Sequence, residues 1–428
     1  MTVRRFPRSR QVATPYPATL DLNFLGRDTL DLRITFARAD ATTCATYFDS
    51  AGVLQTAAAN IPRFGYNPAT LELKGFLVEA TAQNIAIRSE DFTNGVAWVN
   101  QNSNDAADQT TAPDGTVTAD SLVQNGATAS HGIVGTIVVV SGSTYTWSVF
   151  AKQNTSTVLQ LTFGNANSTF TGLGYANFDL STGVVSATGG TLVDYDIENC
   201  GNGWFRCWIS ATATASAATN NWIVIANSTT YTRLASYLGD DASGFFIWGA
   251  QVEVGAFPTS YIPTTSSAVT RAADVASVNT LSPWYNATEY TLYYEGIVQT
   301  NSNGIVYTGI GDTFDNTAYF SRTAPNQYVA VRSGGNSQTG PLTSNFTPTI
   351  NVPFKMAAGI KANDFALCIN GGTVATDTSG AVPLSAVRLG IGNAPWAASG
   401  GNQGQQWIRR IAYYPTRLSN TDLQAITA

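Results

Sequence analysis

Hydrophobic and polar residues alternate along most of this chain with a period of two. Leu292-Tyr293-Tyr294-Glu295-Gly296-Ile297-Val298 and Tyr145-Thr146-Trp147-Ser148-Val149-Phe150 are the plainest examples. A strand sends successive side chains to opposite faces, so alternation of this kind predicts half-buried strands. The runs are bounded by Gly, Asn, Asp, Ser and Pro. Asn-Gly pairs stand at Asn94-Gly95, Asn125-Gly126, Asn202-Gly203, Asn303-Gly304 and Asn370-Gly371, and such pairs suit the positive φ angles of tight hairpin turns. Strands recur about every ten residues, the spacing of sandwiches rather than βαβ units. Helical periodicity is nearly absent. One short helix is predicted near Ser419–Ala428, capped by Ser419 or Asn420. With no short-period repeat, solenoid and β-helix readings drop, and the class expected is all-β.

The length, 428 residues, suits two or three domains. Three regions separate. Residues 1–88 hold a basic arm and a mixed, irregular segment. Residues 89–264 begin near Ser89-Glu90-Asp91-Phe92 and close on Phe245-Phe246-Ile247-Trp248-Gly249-Ala250-Gln251-Val252-Glu253. A linker, Phe257 to Ser267, follows; its spaced aromatic and proline positions predict an extended strap. Residues 265–428 close on Trp407-Ile408-Arg409-Arg410-Ile411-Ala412-Tyr413-Tyr414-Pro415.

Composition changes the picture in one respect. Charged residues are 12% of the chain, about half the usual share in soluble domains, and hydroxyls and amides take their place. Charge-poor β proteins of this kind point to an extracellular or particle surface. The net charge of −6 argues against a nucleic-acid partner. The arm Met1–Arg10 is the local exception: Arg4, Arg5, Arg8 and Arg10 stand there with no acid. They are attachment candidates for an acidic partner surface, or else a solvated terminus. No h-region follows them, so no secretory signal is expected, and no apolar run is long enough to span a membrane.

Four cysteines, Cys44, Cys200, Cys207 and Cys368, are too few for a disulfide scaffold of this length. Cys200 and Cys207 flank the Asn202-Gly203 turn, where a cross-strand disulfide is open, although two small buried thiols are the plainer expectation. There is no CxxC.

Thr35-Phe36-Ala37-Arg38-Ala39, Ala45 to Gln55, Pro62-Arg63-Phe64 and Pro68 to Glu79 look like the start of a mounting module common in phage and gene-transfer-agent head-spike and tail-fibre proteins. In that pattern an Arg-Thr-Asn-Leu-like stretch precedes Ser-Glu-Asp-Phe; here Ala82-Gln83-Asn84-Ile85 stands instead, so any role of that Arg and Thr is absent. Residues 89–255 resemble the carbohydrate-binding jelly roll that follows such modules, on Ala112-Pro113-Asp114-Gly115-Thr116, Asn202-Gly203-Trp204-Phe205-Arg206-Cys207 and Trp248-Gly249-Ala250-Gln251. Residues 271–428 resemble a concanavalin/laminin-G-like jelly roll. The resemblance implies an N-terminal mounting module plus two tandem β-sandwich domains. It also implies a virion or virus-like-particle surface, with assembly in the bacterial cytoplasm and release by lysis.

A search for catalytic chemistry finds little. His131 is the lone histidine; it is a formal general-base candidate, yet a lone loop histidine is far more often structural. No GxSxG, HExxH or phosphate loop is present. Glycoside hydrolysis needs two carboxylates, and Asp194/Asp196, Asp240/Asp241 and Asp312/Asp315 are the pairs on offer. The first reads as an outer strand face and the second as a turn. The third is a sparse calcium candidate. No enzyme activity and no obligatory cofactor are expected.

Aromatic residues beside amides are the better lead. Sugar rings stack their C–H faces on Trp and Tyr, and their hydroxyls must be matched by polar groups when desolvated. Of the nine tryptophans, Trp147, Trp204, Trp248 and Trp407 read as core, while Trp98 and Trp284 read as seals. Trp222, with Tyr231 nearby, and Trp396, in a glycine-rich loop, are glycan-binding candidates, because loops carry recognition. Arg322, Tyr328 and Arg332 add donors and a stacking face; packing on a strand is the competing reading. The function expected is a non-catalytic spike or fibre subunit that binds host cell-surface polysaccharide. The alternatives are a structural decoration protein and a capsule depolymerase. Its N-terminal region would mount on a particle base, portal, capsid or tail protein. Copies would form a homo-oligomer, multiplying weak contacts by avidity.

Overall fold

The computed structural model describes residues 17–164, 169–300, 303–338, 342–397 and 401–428. Among them four sheets carry the architecture, paired into a middle and a terminal sandwich. The middle sandwich has two six-stranded antiparallel sheets. One runs Asp194–Asn199, Trp204–Thr212, Thr144–Gln153, Gly244–Val254, Val117–Gln124 and Ser103–Thr111. The other runs Val184–Gly189, Tyr175–Asp179, Val158–Phe163, Ala217–Ala226, His131–Val139 and Trp98–Gln101. Trp147, Val149, Phe245 and Ile247 face Leu159, Leu161, Ile223 and Ile225 across one core. The period-two pattern puts them there, since alternate positions share a face.

The terminal sandwich has two sheets of eight strands. The first is Ala375–Asp377, Asp364–Ile369, Phe354–Lys361, Glu289–Val298, Gln406–Tyr414, Leu73–Val78 and Phe64–Tyr66, with Leu20–Asn23 also on Gln406–Tyr414. The second is Ile34–Ala37, Val275–Val278, Arg388–Ile391, Val306–Thr313, Asn316–Thr323, Asn326–Ser333 and Asn336–Ser337, with Leu342–Ser344 on Asn326–Ser333. The helix Asn420–Thr427 closes the chain; its cap is Ser419, whose Oγ accepts from Asp422 N. Between Asp194–Asn199 and Trp204–Thr212, Asn202 and Gly203 take φ of 52° and 81°, the paired positive angles of a tight hairpin turn.

Within the N-terminal region expected over residues 1–88, the described strands Leu20–Asn23, Ile34–Ala37, Phe64–Tyr66 and Leu73–Val78 lie in the sheets of the terminal sandwich. Leu20 pairs with Tyr413, Ile34 with Val278 and Phe76 with Ile408. Leu20, Leu22, Phe64, Phe76 and Val78 share a core with Tyr290, Leu292 and Ile411. Short strands cannot bury an apolar face by themselves. Laid on the terminal sandwich, they gain a core and extend both sheets.

The strap joins the two sandwiches through buried polar groups rather than strand pairing. Thr46 Oγ1 donates to Tyr261 O at 2.6 Å, Asn84 Nδ2 to Ile262 O at 2.9 Å, Ile262 N to Gln251 Oε1 at 2.7 Å and Thr264 N to Ser89 Oγ at 2.8 Å. Buried backbone outside a ladder needs such partners. Beneath it lies an ionic cluster whose side chains are wholly buried. Arg38 pairs with Asp40 and Asp274, Arg63 with Glu79 and Asp274, and Arg271 with Glu79. Three cations meet three anions, so the cluster is neutral.

Candidate functional site

The site is built on the outer face of the terminal sandwich. Along Asn316–Thr323, Ala318 and Phe320 enter the core, which turns Tyr319 outward. Along Asn326–Ser333, Val329 and Val331 point in, so Tyr328, Ala330 and Arg332 share the outer face. Tyr319 lies opposite Ala330, which places Tyr328 and Arg332 on its two diagonals. Trp396 comes down from its loop and meets Tyr319 edge-on, with ring centres 4.8 Å apart, and Phe314 at 5.2 Å. Tyr319 and Tyr328 cross at 6.3 Å. The Arg332 guanidinium lies 4.2 Å from the centre of the Phe314 ring, a cation–π distance. It also donates to Asp315 Oδ1 at 3.2 Å and Gly335 O at 2.8 Å.

Trp396 and Tyr328 are half-buried, and Phe314 is 46% exposed. Burial, with Tyr328 close by, pushes the Tyr319 phenol up to about 12, so it stays a neutral donor over the physiological range. The patch therefore offers apolar ring surface ringed by phenols and a guanidinium. Such a combination is chemically able to receive a ring with C–H faces and peripheral oxygens.

Tyr328, Arg332 and Trp396 thus come together. Arg322 does not join them: it shares parity with Ala318 and Phe320, is 3% exposed, and sits on the inner side near Tyr307. Its Nε and Nη1 have no hydrogen-bond partner, and burial lowers its basicity. Phe314 and Tyr319 escaped the sequence reading, although the alternation around Tyr319 carries the signal.

On the middle sandwich, Trp222 lies half-buried between Val134 and Thr162 on the outer face of its sheet. Its Nε1 is buried without a partner. Arg233, another residue missed in sequence, donates from Nε to Thr162 Oγ1 at 2.8 Å. The Tyr231 ring packs tilted against Tyr237 at 5.6 Å, and Tyr237 tilted against His131 at 4.7 Å. The His131 ring nitrogens face Asn102 O at 2.6 Å and Tyr237 O at 3.2 Å, so two backbone carbonyls hold the imidazole inside the fold. Arg4, Arg5, Arg8 and Arg10 lie outside the described residues.

The acidic pairs are occupied locally. Asp194 and Asp196 sit on an exposed edge strand and accept from Tyr195 N and Ile197 N. Asp240 accepts from Ser243, Ala242 and Gln124, and Asp241 from Gly126 N. Asp312 accepts from Thr313 and Ser385, while Asp315 pairs with Arg332. Among the described residues no three metal-ligating side chains converge. The four cysteines are buried free thiols.

No family model matches the chain, and no curated protein matches it. Among solved structures it is similar to the CBM40 module of the Ruminococcus gnavus IT-sialidase bound to α2,6-sialyllactose, at 16% identity over 33% of this chain and 85% of that one, with a TM-score of 0.30. It is similar to the NanB sialidase of Streptococcus pneumoniae at 12% identity over 35% of this chain and 26% of that one, TM-score 0.31. It is also similar to Domain 4 of AbnA, an extracellular arabinanase from Geobacillus stearothermophilus, in complex with arabinotriose, at 10% identity over 36% and 73%, TM-score 0.28.

Proposed function

We propose that the chain is a non-catalytic glycan-binding subunit, displayed on a virus-like particle and aimed at host-surface polysaccharide. The observation that carries the binding reading is the convergence of Trp396, Tyr319, Tyr328 and Phe314 with Arg332 on one outer sheet face. Half-buried aromatic surface with the exposed Phe314 ring, beside a guanidinium, suits a sugar ring bearing hydroxyls or an acidic substituent. Weak single contacts would be multiplied across a homo-oligomer, where linked sites gain about 10²–10⁴ in avidity. The particle setting rests on the resemblance of residues 35–92 to mounting modules.

The test is incubation of the purified oligomer with capsule from candidate hosts, followed by co-sedimentation and sizing of the polymer. Binding with polymer length unchanged is expected. Shortened polymer would establish a depolymerase, and no retention of any polysaccharide would leave a structural decoration protein.

A further inference from the structure

We propose that the aromatic patch around Tyr319 selects neutral saccharides, and that Asp315 is the residue that sets this preference. The inference rests on the glycan-binding reading of that patch and names its ligand class. Arg332 is the cation there, and an arginine takes a carboxylate best through two parallel hydrogen bonds. Both seats for that fork use Nη2, paired either with Nε or with Nη1. Nη2 carries two protons, and here both are taken: it donates to Asp315 Oδ1 at 3.2 Å and to Gly335 O at 2.8 Å. A ligand carboxylate therefore finds neither seat open.

Most of the remaining guanidinium is closed as well. Its Nε is buried, and one of its faces lies over the Phe314 ring at 4.2 Å. That leaves Nη1, which makes no hydrogen bond among the described residues. A donor acting singly matches a hydroxyl or ring oxygen, and it does not reproduce the fork that gives an arginine its preference for an acid.

Charge points the same way. The Asp315 side chain is 60% exposed and that of Arg332 22%, so an approaching anion meets the carboxylate as well as the cation. Together the two are neutral. The next cation on this face is Arg388, turned outward because Leu389 enters the core. Arg388 stands opposite Gly311, Gly311 opposite Thr317 and Thr317 opposite Arg332. Three strand spacings, about 14 Å, therefore separate the backbone positions of the two arginines. A neutral sugar can meet the rings and Nη1 without disturbing the ion pair. An acidic one must displace Asp315 from Nη2 or lie beside its charge.

The test uses the full chain and capsule polysaccharides from candidate hosts, each in a neutral and an acidic form of the same backbone. The pair is made by reducing uronic-acid carboxyls, or by oxidising primary hydroxyls to carboxylates. Affinities are read by isothermal titration at low salt. Wild type should bind the neutral form more tightly. Asp315→Asn removes the charge and loosens the hold on Nη2, so the acidic-to-neutral affinity ratio should rise about two- to fivefold, the scale of an exposed ion pair. Asp315→Glu keeps the charge and should keep the wild-type preference. Equal or tighter wild-type binding of the acidic form, or an unchanged ratio in Asp315→Asn, would overturn the proposal while leaving a glycan site in place. Binding of neither form, or binding undiminished in Trp396→Ala, would instead sink the glycan-binding reading of the patch, and this inference with it.

Discussion

Replacing Arg63 by methionine should destabilise the protein by about 3–5 kcal/mol, the usual cost of removing one partner from a buried ion pair. Arg63 is wholly buried. It pairs with Glu79 at 2.7 Å and Asp274 at 2.5 Å, and donates to Thr46 O at 3.1 Å and Ser260 Oγ at 2.8 Å. Without it, two cations face three carboxylates, and one negative charge is left in excess inside the protein. Glu79 gives a second route to the magnitude. Burial alone would raise its pKa, but Arg271 and Arg63 outweigh burial and hold it at about 2, against an ordinary 4.5. That drop is worth about 3 kcal/mol, shared between two arginines, and the lost hydrogen bonds of Thr46 and Ser260 add to Arg63's part. The sign in pH follows. A carboxylate held low stabilises the fold fully above about pH 4.5, and the stabilisation is lost as pH falls toward 2. The assay is urea unfolding at pH 7, repeated from pH 6 to 2.5 and followed by tryptophan fluorescence. Arg63→Met should lower stability at pH 7 and flatten the loss below pH 4.5. A change under about 1 kcal/mol with an unaltered acid limb would refute the view that this cluster locks strap, N-terminal strands and terminal sandwich together.

Gly65→Ala should cost about 1–3 kcal/mol through overpacking, because its Cβ would meet the Trp407 ring at 2.1 Å; a displaced ring would show as altered tryptophan emission. Burial pushes the Cys200 and Cys207 thiols well up, and Cys44 and Cys368 are buried with theirs raised too. A thiol reagent at pH 8 should therefore titrate none in the native protein and all four in denaturant. Burial also pushes Asp120 up to about 6, against hydrogen bonds from Phe92 N and Asp108 N. An acid raised in the fold gains protons there first, so stability should rise as pH falls from 6 toward 3.8. Asp120→Asn should lack that rise, seen in the urea midpoint.

Much of the fold was legible from side-chain alternation, because a period of two fixes which residues face a core. Trp147 and Val149 lie inward as read, and the Ser419 cap opens the last helix. Alternation does not name a strand's partner. Asp21 and Arg410 make their ion pair across 389 residues, and nothing local in Leu20–Asn23 points to Gln406–Tyr414. The same gap hid the ionic cluster, since Arg38, Arg63, Glu79 and Asp274 are charged residues that ordinarily mark a surface. Tyr328, Arg332 and Trp396 were found as separate loop and strand signals, but their convergence depends on register. Arg322 was misplaced by chemistry where parity with Phe320 would have turned it inward. Trp407 reads as core, and it is buried.

The glycan-binding reading is tested most directly by isothermal titration of one polysaccharide retained in the co-sedimentation assay into the wild-type protein and into Trp396→Ala and Tyr328→Ala, with circular dichroism to confirm folding. Losing a stacking platform should cost on the order of 1–3 kcal/mol per site, by analogy with base stacking, or roughly 5- to 150-fold in affinity. Folded variants that bind as tightly as wild type would show that the aromatic face around Tyr319 is not where the sugar lies.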